Sequence, residues 1–362
     1  MDYTKELDIA CEKFRRIMEG QLRRVEEMKA QGDFIDYGAL EKLRIGVCGG
    51  DGIGPVITRE AERVLRAILS DEVAAGKVEF VPIDGLTLEH RIEAMQAIPD
   101  DVMAQLKSCH VILKGPTTTP QKGSGMPNIE SANVAMRKAL DLFANIRPVK
   151  VPAEGIHWTI FRENTEGGYA VGNSGFNVTD DLAMDFVVTT KQGSERIARI
   201  AYDYARRNGF TRVSLVTKAN IVKTTDGNFL EDCHRVAALY PEITTDEWYA
   251  DIMTAKLVDE KRRRDFQVLL LPNLYGDIIS DEAAEFQGGV GTAAVPISAK
   301  NTPCSRRSTA RHPAWSPRGA GSTPTPARCS VPVSCCSRIS ENRRKPTASS
   351  ARSTSAALRS GV

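Results

Sequence analysis

The chain is poor in aromatics, which make up 6% of its 362 residues, and it has only five His. No apolar run approaches membrane-spanning length, and the start, Met1-Asp-Tyr-Thr-Lys-Glu6, lacks a basic segment leading into an apolar one. These absences predict a protein of the cytoplasm or an organelle matrix with no membrane partner. Metal-spaced cysteines are also missing. Cys11, Cys48, Cys109 and Cys233 are scattered, while Cys304, Cys329, Cys335 and Cys336 crowd the end of the chain. Scattered single thiols fit a reducing compartment. Acid nearly vanishes at one end: from Lys300 onward there is only Glu341. That stretch holds 12 of the 48 Lys and Arg and one of the 46 Asp and Glu, so residues 1–299 carry a net charge of −9. An acidic body argues against a nucleic-acid partner.

What is present is ordinary for a globular protein, 41% hydrophobic and 26% charged, at a length that accommodates two domains with real cores. Residues 1–43 mix charges of both signs with Ile9, Phe14, Ile17 and Met18 and read as one or two amphipathic helices. Leu43–Cys48 reads as a buried strand, followed by a glycine turn at 49–54 and a helix over Arg59–Leu69. Strand, turn, helix opens an α/β domain. The alternation continues through strands at Val78–Ile83, His110–Lys114, Trp158–Arg162, Val213–Thr217 and Phe266–Leu271. Helices are predicted at Asp101–Lys107, 131–142 and Ile197–Arg207. Periodicity stops near 299, and the Ser, Arg, Pro, Thr and Ala beyond it predict disorder. The turn Gly50-Asp-Gly-Ile-Gly54 lacks the GxGxxG spacing and a well-placed acid about twenty residues on, so it reads as a plain strand-to-helix turn.

Two groups of residues carry chemistry. Asp277 and Asp281, in Pro272-Asn-Leu-Tyr-Gly-Asp-Ile-Ile-Ser-Asp281, lie on one face if a helix starts there. Such a pair suits Mg²⁺ or Mn²⁺, or else is an exposed helix start with acids favoured by the dipole. Arg137, Arg147 and Arg162 stand near Ser131, Asn133 and the hydroxyl-rich loop Lys114-Gly-Pro-Thr-Thr-Thr119. Guanidinium forks bind carboxylates bidentately, so this set suits a substrate with several carboxylates; three ordinary surface ion pairs are the alternative.

The order of the blocks across residues 44–292 resembles the metal-dependent decarboxylating 2-hydroxyacid dehydrogenases, the isocitrate and isopropylmalate dehydrogenase family. The blocks are Gly50-Asp-Gly-Ile-Gly-Pro55, Lys114-Gly-Pro116, Ser131-x-Asn-x-x-x-Arg137 and Ala144-Asn-Ile-Arg-Pro148. Further on come Phe161-Arg-Glu-Asn-Thr-Glu166, Lys218-Ala-Asn-Ile-Val-Lys223 and Asn273-Leu-Tyr-Gly-Asp277. The resemblance implies a two-domain α/β fold. Its large domain would be 44–142 plus 289–299, and its smaller dimerisation and substrate domain 143–288. A helical extension would precede them at 1–43, and a basic low-complexity tail would follow at 300–362.

The resemblance also implies roles. Arg137, Arg147 and Arg162, with Lys114, Thr119, Ser131 and Asn133, would hold the substrate. Tyr169 would protonate the enolate, Lys218 would serve the hydroxyl proton, and Asn220 would lie near the nicotinamide of NAD or NADP. Asp277 and Asp281 would hold Mg²⁺ or Mn²⁺ with Asp251 of the other subunit of a homodimer with shared active sites. Lys218 and Tyr169 need ordinary pKa values near 10 pulled down, by a neighbouring cation and the metal. Lys223 reads as a surface or ion-paired lysine. The resemblance favours isocitrate, since family members that use it have a serine and an asparagine at the positions of Ser131 and Asn133, polar partners for a third carboxylate, where isopropylmalate users have bulky apolar residues; isopropylmalate, homoisocitrate and tartrate-type substrates are the alternatives. A non-catalytic regulatory subunit is the rival reading, but it has no chemical need for Tyr169, Lys218, Asp251, Asp277 and Asp281.

Family members continue with a Glu-x-x-His-Gly-Ser/Thr-Ala-Pro block for the adenosine half of the cofactor, which this chain lacks. Regrouping the codon bases of Lys300 to Pro313 by one position permits that block, so the expectation is a one-base shift of frame between about 293 and 300. Translation of the source DNA in the neighbouring frame should yield a His-Gly-Thr/Ser-Ala-Pro string. A natural basic extension is the alternative.

Overall fold

The computed structural model describes residues 3–32, 37, 39–120, 125–127, 129–172, 174–289, 294–298 and 304–307. Helix α1 (Thr4–Ala30) precedes strand β1 (Leu43–Cys48), helices α2 (Gly54–Ile68) and α3 (Ser70–Ala74), and β2 (Val78–Pro82). Then come α4 (Leu88–Glu93), α5 (Asp100–Lys107), β3 (Val111–Lys114), α6 (Ala132–Ala139), β4 (Ala144–Val151) and β5 (Ile156–Glu163). A short α7 (Gly168–Val171) leads into the hairpin β6 (Phe176–Thr179) and β7 (Leu182–Met184). The chain continues through α8 (Lys191–Arg207), β8 (Arg212–Thr217), α9 (Thr225–Ala237), β9 (Thr244–Tyr249) and α10 (Ala250–Val258). It ends with β10 (Val268–Leu271), α11 (Asn273–Glu285), β11 (Ala294–Ser298) and β12 (Cys304–Arg307).

Ten strands form one sheet in the order β2-β1-β3-β12-β11-β4-β5-β10-β8-β9. Strands β5, β10, β8 and β9 run parallel, as do β2, β1, β3 and β12, while the pairs β12–β11, β11–β4 and β4–β5 are antiparallel. The mixed α/β layering follows from strands covered on both faces, whose residues read as apolar runs. In β10 all four residues are buried. Val268 and Leu270 face the core made with α8 and α9, whereas Leu269 and Leu271 face the one made with α10 and α11. Two further clusters line the two faces of the β1–β3 half.

Helix α1 forms as one continuous helix of 27 residues, packed on the hairpin through Phe14 and Phe186, whose ring centroids are 5.0 Å apart. No described helix is long and apolar enough to cross a membrane. The end of periodic structure expected near 299 is corrected by β12, an inner strand that pairs in parallel with β3 and antiparallel with β11. A short inner strand is held by main-chain hydrogen bonds and needs no apolar alternation to be joined to a sheet. Of the stretch in which the change of frame was expected, 294–298 form β11, whereas 299–303 and 308–362, most of the tail expected to be disordered, lie outside the described residues.

Candidate active site

The C-terminal ends of β5, β10, β8 and β9 share one edge of the sheet, because these strands are parallel neighbours. Arg162 is the last residue but one of β5, Asn273 to Asp281 follow β10, Lys218 follows β8, and Asp251 lies in the first turn of α10 after β9. Ligand sites in open α/β sheets form at such an edge.

The helix expected at Asp277 starts at Asn273, so Asp277 and Asp281 do lie one turn apart on α11. Both point at arginines. Arg147, from β4, ion-pairs with Asp281 and lies 3.3 Å from Asp277, and its Nη1 donates to the Ser280 hydroxyl at 2.6 Å. Arg162 ion-pairs with Asp277, and its Nη2 and Nε donate to the Asn273 amide oxygen at 2.7 and 3.0 Å. The Tyr169 hydroxyl donates to Asp277 at 3.2 Å, with the Arg162 guanidinium 5.4 Å from its ring centre. Arg137, on α6, is near enough for its charge to act on both Arg162 and Tyr169.

Burial lowers Arg162 to about 10, with Asp277 opposing and Arg137 and Arg147 adding to the fall. It therefore stays charged at neutral pH. Tyr169 is raised rather than pulled down, first by burial and then by the Asp277 carboxylate, against which Arg162 and Arg137 work. The lowering was expected with the metal bound; in the protein without metal the nearest charge to the phenol is the Asp277 anion.

Lys218 and Asp251 form a second group, with the ammonium donating to Asp251 at 2.5 Å. That hydrogen bond holds Asp251 below the usual carboxylate range. The Lys218 amide donates to Asp226 at 2.7 Å, and Asp226 also bonds Tyr275 on α11, which ties the two groups into one edge. Asn220 is exposed in the loop after β8, as is Lys223.

The substrate-loop residues lie differently from one another. Lys114 is buried and its ammonium donates to the Gly115 carbonyl at 2.9 Å and the Thr117 hydroxyl at 3.1 Å, so it braces its own loop. The Thr117 hydroxyl in turn donates to Asn133 at 3.3 Å. Ser131 precedes α6 partly buried, and Thr119 is exposed.

The glycine turn also has a part here. Gly50 sits at φ +71°, where a Cβ would collide with the Pro116 carbonyl, and Asp51 accepts from the amides of Thr118 at 2.6 Å and Leu88 at 2.8 Å. Fully buried Arg91 donates to the carbonyls of Ala97, Thr118 and Glu130. Asp51 and Arg91 thus hold Thr118, and Arg91 also Glu130, in the chain between β3 and α6. Sequence reasoning gave no role to Asp51 and Arg91, or to Asn273, Ser280, Asp226 and Glu166. Asp51, Glu166, Asn273 and Ser280 do stand in stretches the sequence singled out, whereas Arg91 and Asp226 stand in none.

The donor set fits a hard divalent cation in part. Asp277 and Asp281 supply two carboxylates on adjacent turns, the second with its side chain 55% exposed. Among the described residues no three His, Cys, Asp or Glu side chains converge on one point. The shell is therefore one that substrate, water or another chain would complete.

Residues 44–305 match the family model described as isocitrate/isopropylmalate dehydrogenase. The chain is 35% identical over 268 residues to the probable isocitrate dehydrogenase [NAD] subunit alpha, mitochondrial, of Caenorhabditis elegans, covering 72% of this chain and 70% of that protein. It is 34% identical over 290 residues to a mitochondrial regulatory subunit of isocitrate dehydrogenase [NAD] from Dictyostelium discoideum, covering 76% of this chain and 74% of that protein. Among solved structures it is similar to isocitrate dehydrogenase from Methylococcus capsulatus, with a TM-score of 0.62, 35% identity, and 73% of this chain and 77% of that one covered. Matched over most of its length by the family model and by relatives of this identity, the chain belongs to the isocitrate/isopropylmalate dehydrogenase family.

Proposed function

We propose that the chain binds isocitrate with a divalent cation at the Arg147–Arg162–Asp277–Asp281 cluster. The reaction it serves would be oxidative decarboxylation to 2-oxoglutarate with NAD⁺ or NADP⁺. The observation that carries this is the pairing of two arginines with two aspartates at one end of the parallel strands. Three arginines and two aspartates leave one positive charge. A divalent cation raises it to three, which a tricarboxylate neutralises and a dicarboxylate such as isopropylmalate does not. Ser131 and Asn133 add polar partners for the third carboxylate.

In this reading Arg147 and Arg162 turn from the aspartates to the substrate carboxylates, where Arg137 joins them, and Asp277 and Asp281 would hold the cation. A bound Mg²⁺ or Mn²⁺ supplies electrostatic stabilisation of the negative charge that grows on the C2 oxygen. NAD(P)⁺, when bound, would supply the acceptor for the hydride of C2. Lys218, once its bond to Asp251 opens and it has given up a proton to water, takes the hydroxyl proton as the neutral amine, and Tyr169, held protonated by burial and Asp277, returns a proton to carbon after CO₂ has left. Asn220 would face the nicotinamide. We take Lys218 and Asp251 to complete the cluster of a second copy, across an interface formed by 143–288.

Because the adenosine-binding block is missing from the sequence, turnover should be impaired while substrate binding persists. Titration calorimetry tests this on the intact chain: isocitrate should bind with Mn²⁺, and Asp277→Asn should abolish that binding. Binding of isopropylmalate or homoisocitrate in place of isocitrate would overturn the substrate assignment. The relative that is a regulatory subunit favours a second reading, a non-catalytic component of a larger enzyme. Isocitrate binding with no turnover even when the missing block is restored in the neighbouring frame would support that alternative.

A further inference from the structure

Helix α1 lies before the segment 44–305 that matches the family, yet it reaches the site. From its last third, Arg24 extends Nη1 to the Glu166 carboxylate at 3.2 Å and Nη2 to the Thr165 hydroxyl at 3.2 Å. Beyond the helix end, Gln31 donates to Asp141 at 3.2 Å, the same carboxylate that pairs with Arg196. Glu166 is buried in a socket made for a carboxylate. The Thr190 amide donates to it at 2.9 Å and the Thr190 hydroxyl at 2.5 Å. It lies over the first turn of α8, where a Cβ on Gly193 would collide with it. Its nearest like charge is Glu163, whose own carboxylate is spent on the amides of Thr165 and Glu166. When ionised, a carboxylate this deeply buried calls for a cation, and among the described residues Arg24 is the one that pairs with it.

The same residue continues to the substrate-binding arginine. The Glu166 carbonyl accepts from the Asn273 amide nitrogen at 3.0 Å, and the Asn273 amide oxygen receives both Nε and Nη2 of Arg162. The path from α1 is therefore Arg24, Glu166, Asn273, Arg162, with Tyr169 three residues beyond Glu166 on the same segment.

We propose that Arg24 is a positioning residue for substrate binding, through which α1 seats Glu166 and so fixes Asn273 and Arg162. The link to substrate rests on the reading of the site given above; the link to Asn273 and Arg162 does not. Hydrogen–deuterium exchange on the full chain tests the second. Arg24→Met should speed exchange at 164–169 and also at 273–280, and Arg24→Lys, which keeps a cation, should stay near wild type. In the double variant Arg24→Met with Glu166→Gln, protection at 273–280 should recover, because the buried charge is gone. Faster exchange confined to α1 and 164–166, or no recovery in the double variant, would overturn the proposal and leave α1 a packing element only. Isocitrate titration in Mn²⁺ tests the first: Arg24→Met should weaken binding about tenfold and Arg24→Lys less than about threefold. Equal affinity in wild type and Arg24→Met would overturn it. If the wild type binds no isocitrate, the substrate reading falls and the exchange result alone decides the positioning role.

Discussion

Gly276 is the residue that lets helix and strand meet closely enough for the site to form, and its replacement by alanine separates stability from function. A Cβ there would lie 2.6 Å from Arg162 Cγ, 2.7 Å from its Cβ and 3.2 Å from its Cα. Ordinary carbon contacts are about 3.5–4.0 Å, so about an ångström has to be gained. Arg162 cannot supply it, because its strand is paired on both sides, to Asn145 and to Leu271, and its side chain is 1% exposed. Helix α11 must move instead, carrying Asp277 and Asp281 away from Arg162 and Arg147. Overpacking of this kind costs about 1–3 kcal/mol. Alanine returns about 1 kcal/mol of helix propensity. The net loss of stability should therefore be small, up to about 2 kcal/mol. A displacement of about 1 Å at a binding constellation can cost on the order of a hundredfold. Gly227 on α9, which has open space where its Cβ would be, is the control: Gly227→Ala should stabilise by up to about 1 kcal/mol and leave binding alone. Thermal melts and isocitrate–Mn²⁺ titrations of both variants measure the two quantities. Isocitrate binding by Gly276→Ala within about threefold of wild type would refute the close-approach argument.

Glu166 is raised to about 7, by burial and then Glu163, so between about pH 4.5 and 7 the folded state keeps a proton that the unfolded chain has lost. Stability from this group is therefore greatest at low pH and falls as pH rises, by about 3 kcal/mol at pH 8. Glu166→Gln should remove that fall, and parallel stability–pH curves for the two proteins in urea melts would contradict it. Arg91→Met should leave the carbonyls of Ala97, Thr118 and Glu130 unpaired, costing about 3 kcal/mol or more in the same melts. An unchanged midpoint would mean that water replaces the guanidinium.

The parts of the fold that the sequence made legible are those where burial writes its own period. Strand β10 is apolar at every position because both of its faces are covered, and β1 and β8 show themselves by their β-branched and apolar residues, which Arg44 and Ser214 only interrupt. Strand β4 does not, since Asn145, Arg147 and Pro148 interrupt any apolar run. Its polar residues are there for the site, and function overrode the pattern by which strands are recognised. Strand β9, Thr-Thr-Asp-Glu-Trp-Tyr, is the sheet's edge and carries polar residues that are satisfied sideways. Asp246 takes the Ser214 hydroxyl at 2.6 Å and the Trp248 ring nitrogen at 2.9 Å. Strand β12 lay in a stretch whose composition reads as disordered, and composition carries no information about which short segment the sheet will accept.

The site divides along a similar line. The aspartate pair and the arginines were legible because helical spacing and charge are local properties of a sequence. What charge cannot give is which opposite partner each group meets. Lys114, a cation in a hydroxyl-rich loop, turns inward to brace that loop, whereas Arg147 and Arg162 reach the aspartates across more than a hundred residues of chain. The uncharged members were invisible for the complementary reason. Asn273 and Ser280 act by filling the hydrogen-bonding positions the arginines leave open, so their roles exist only once the arginines are placed. Arg24 extends this logic furthest. Alone on an amphipathic helix of mixed charge it reads as a solvated surface residue, and only the buried Glu166, set 142 positions away by the packing of α1, gives it a different meaning.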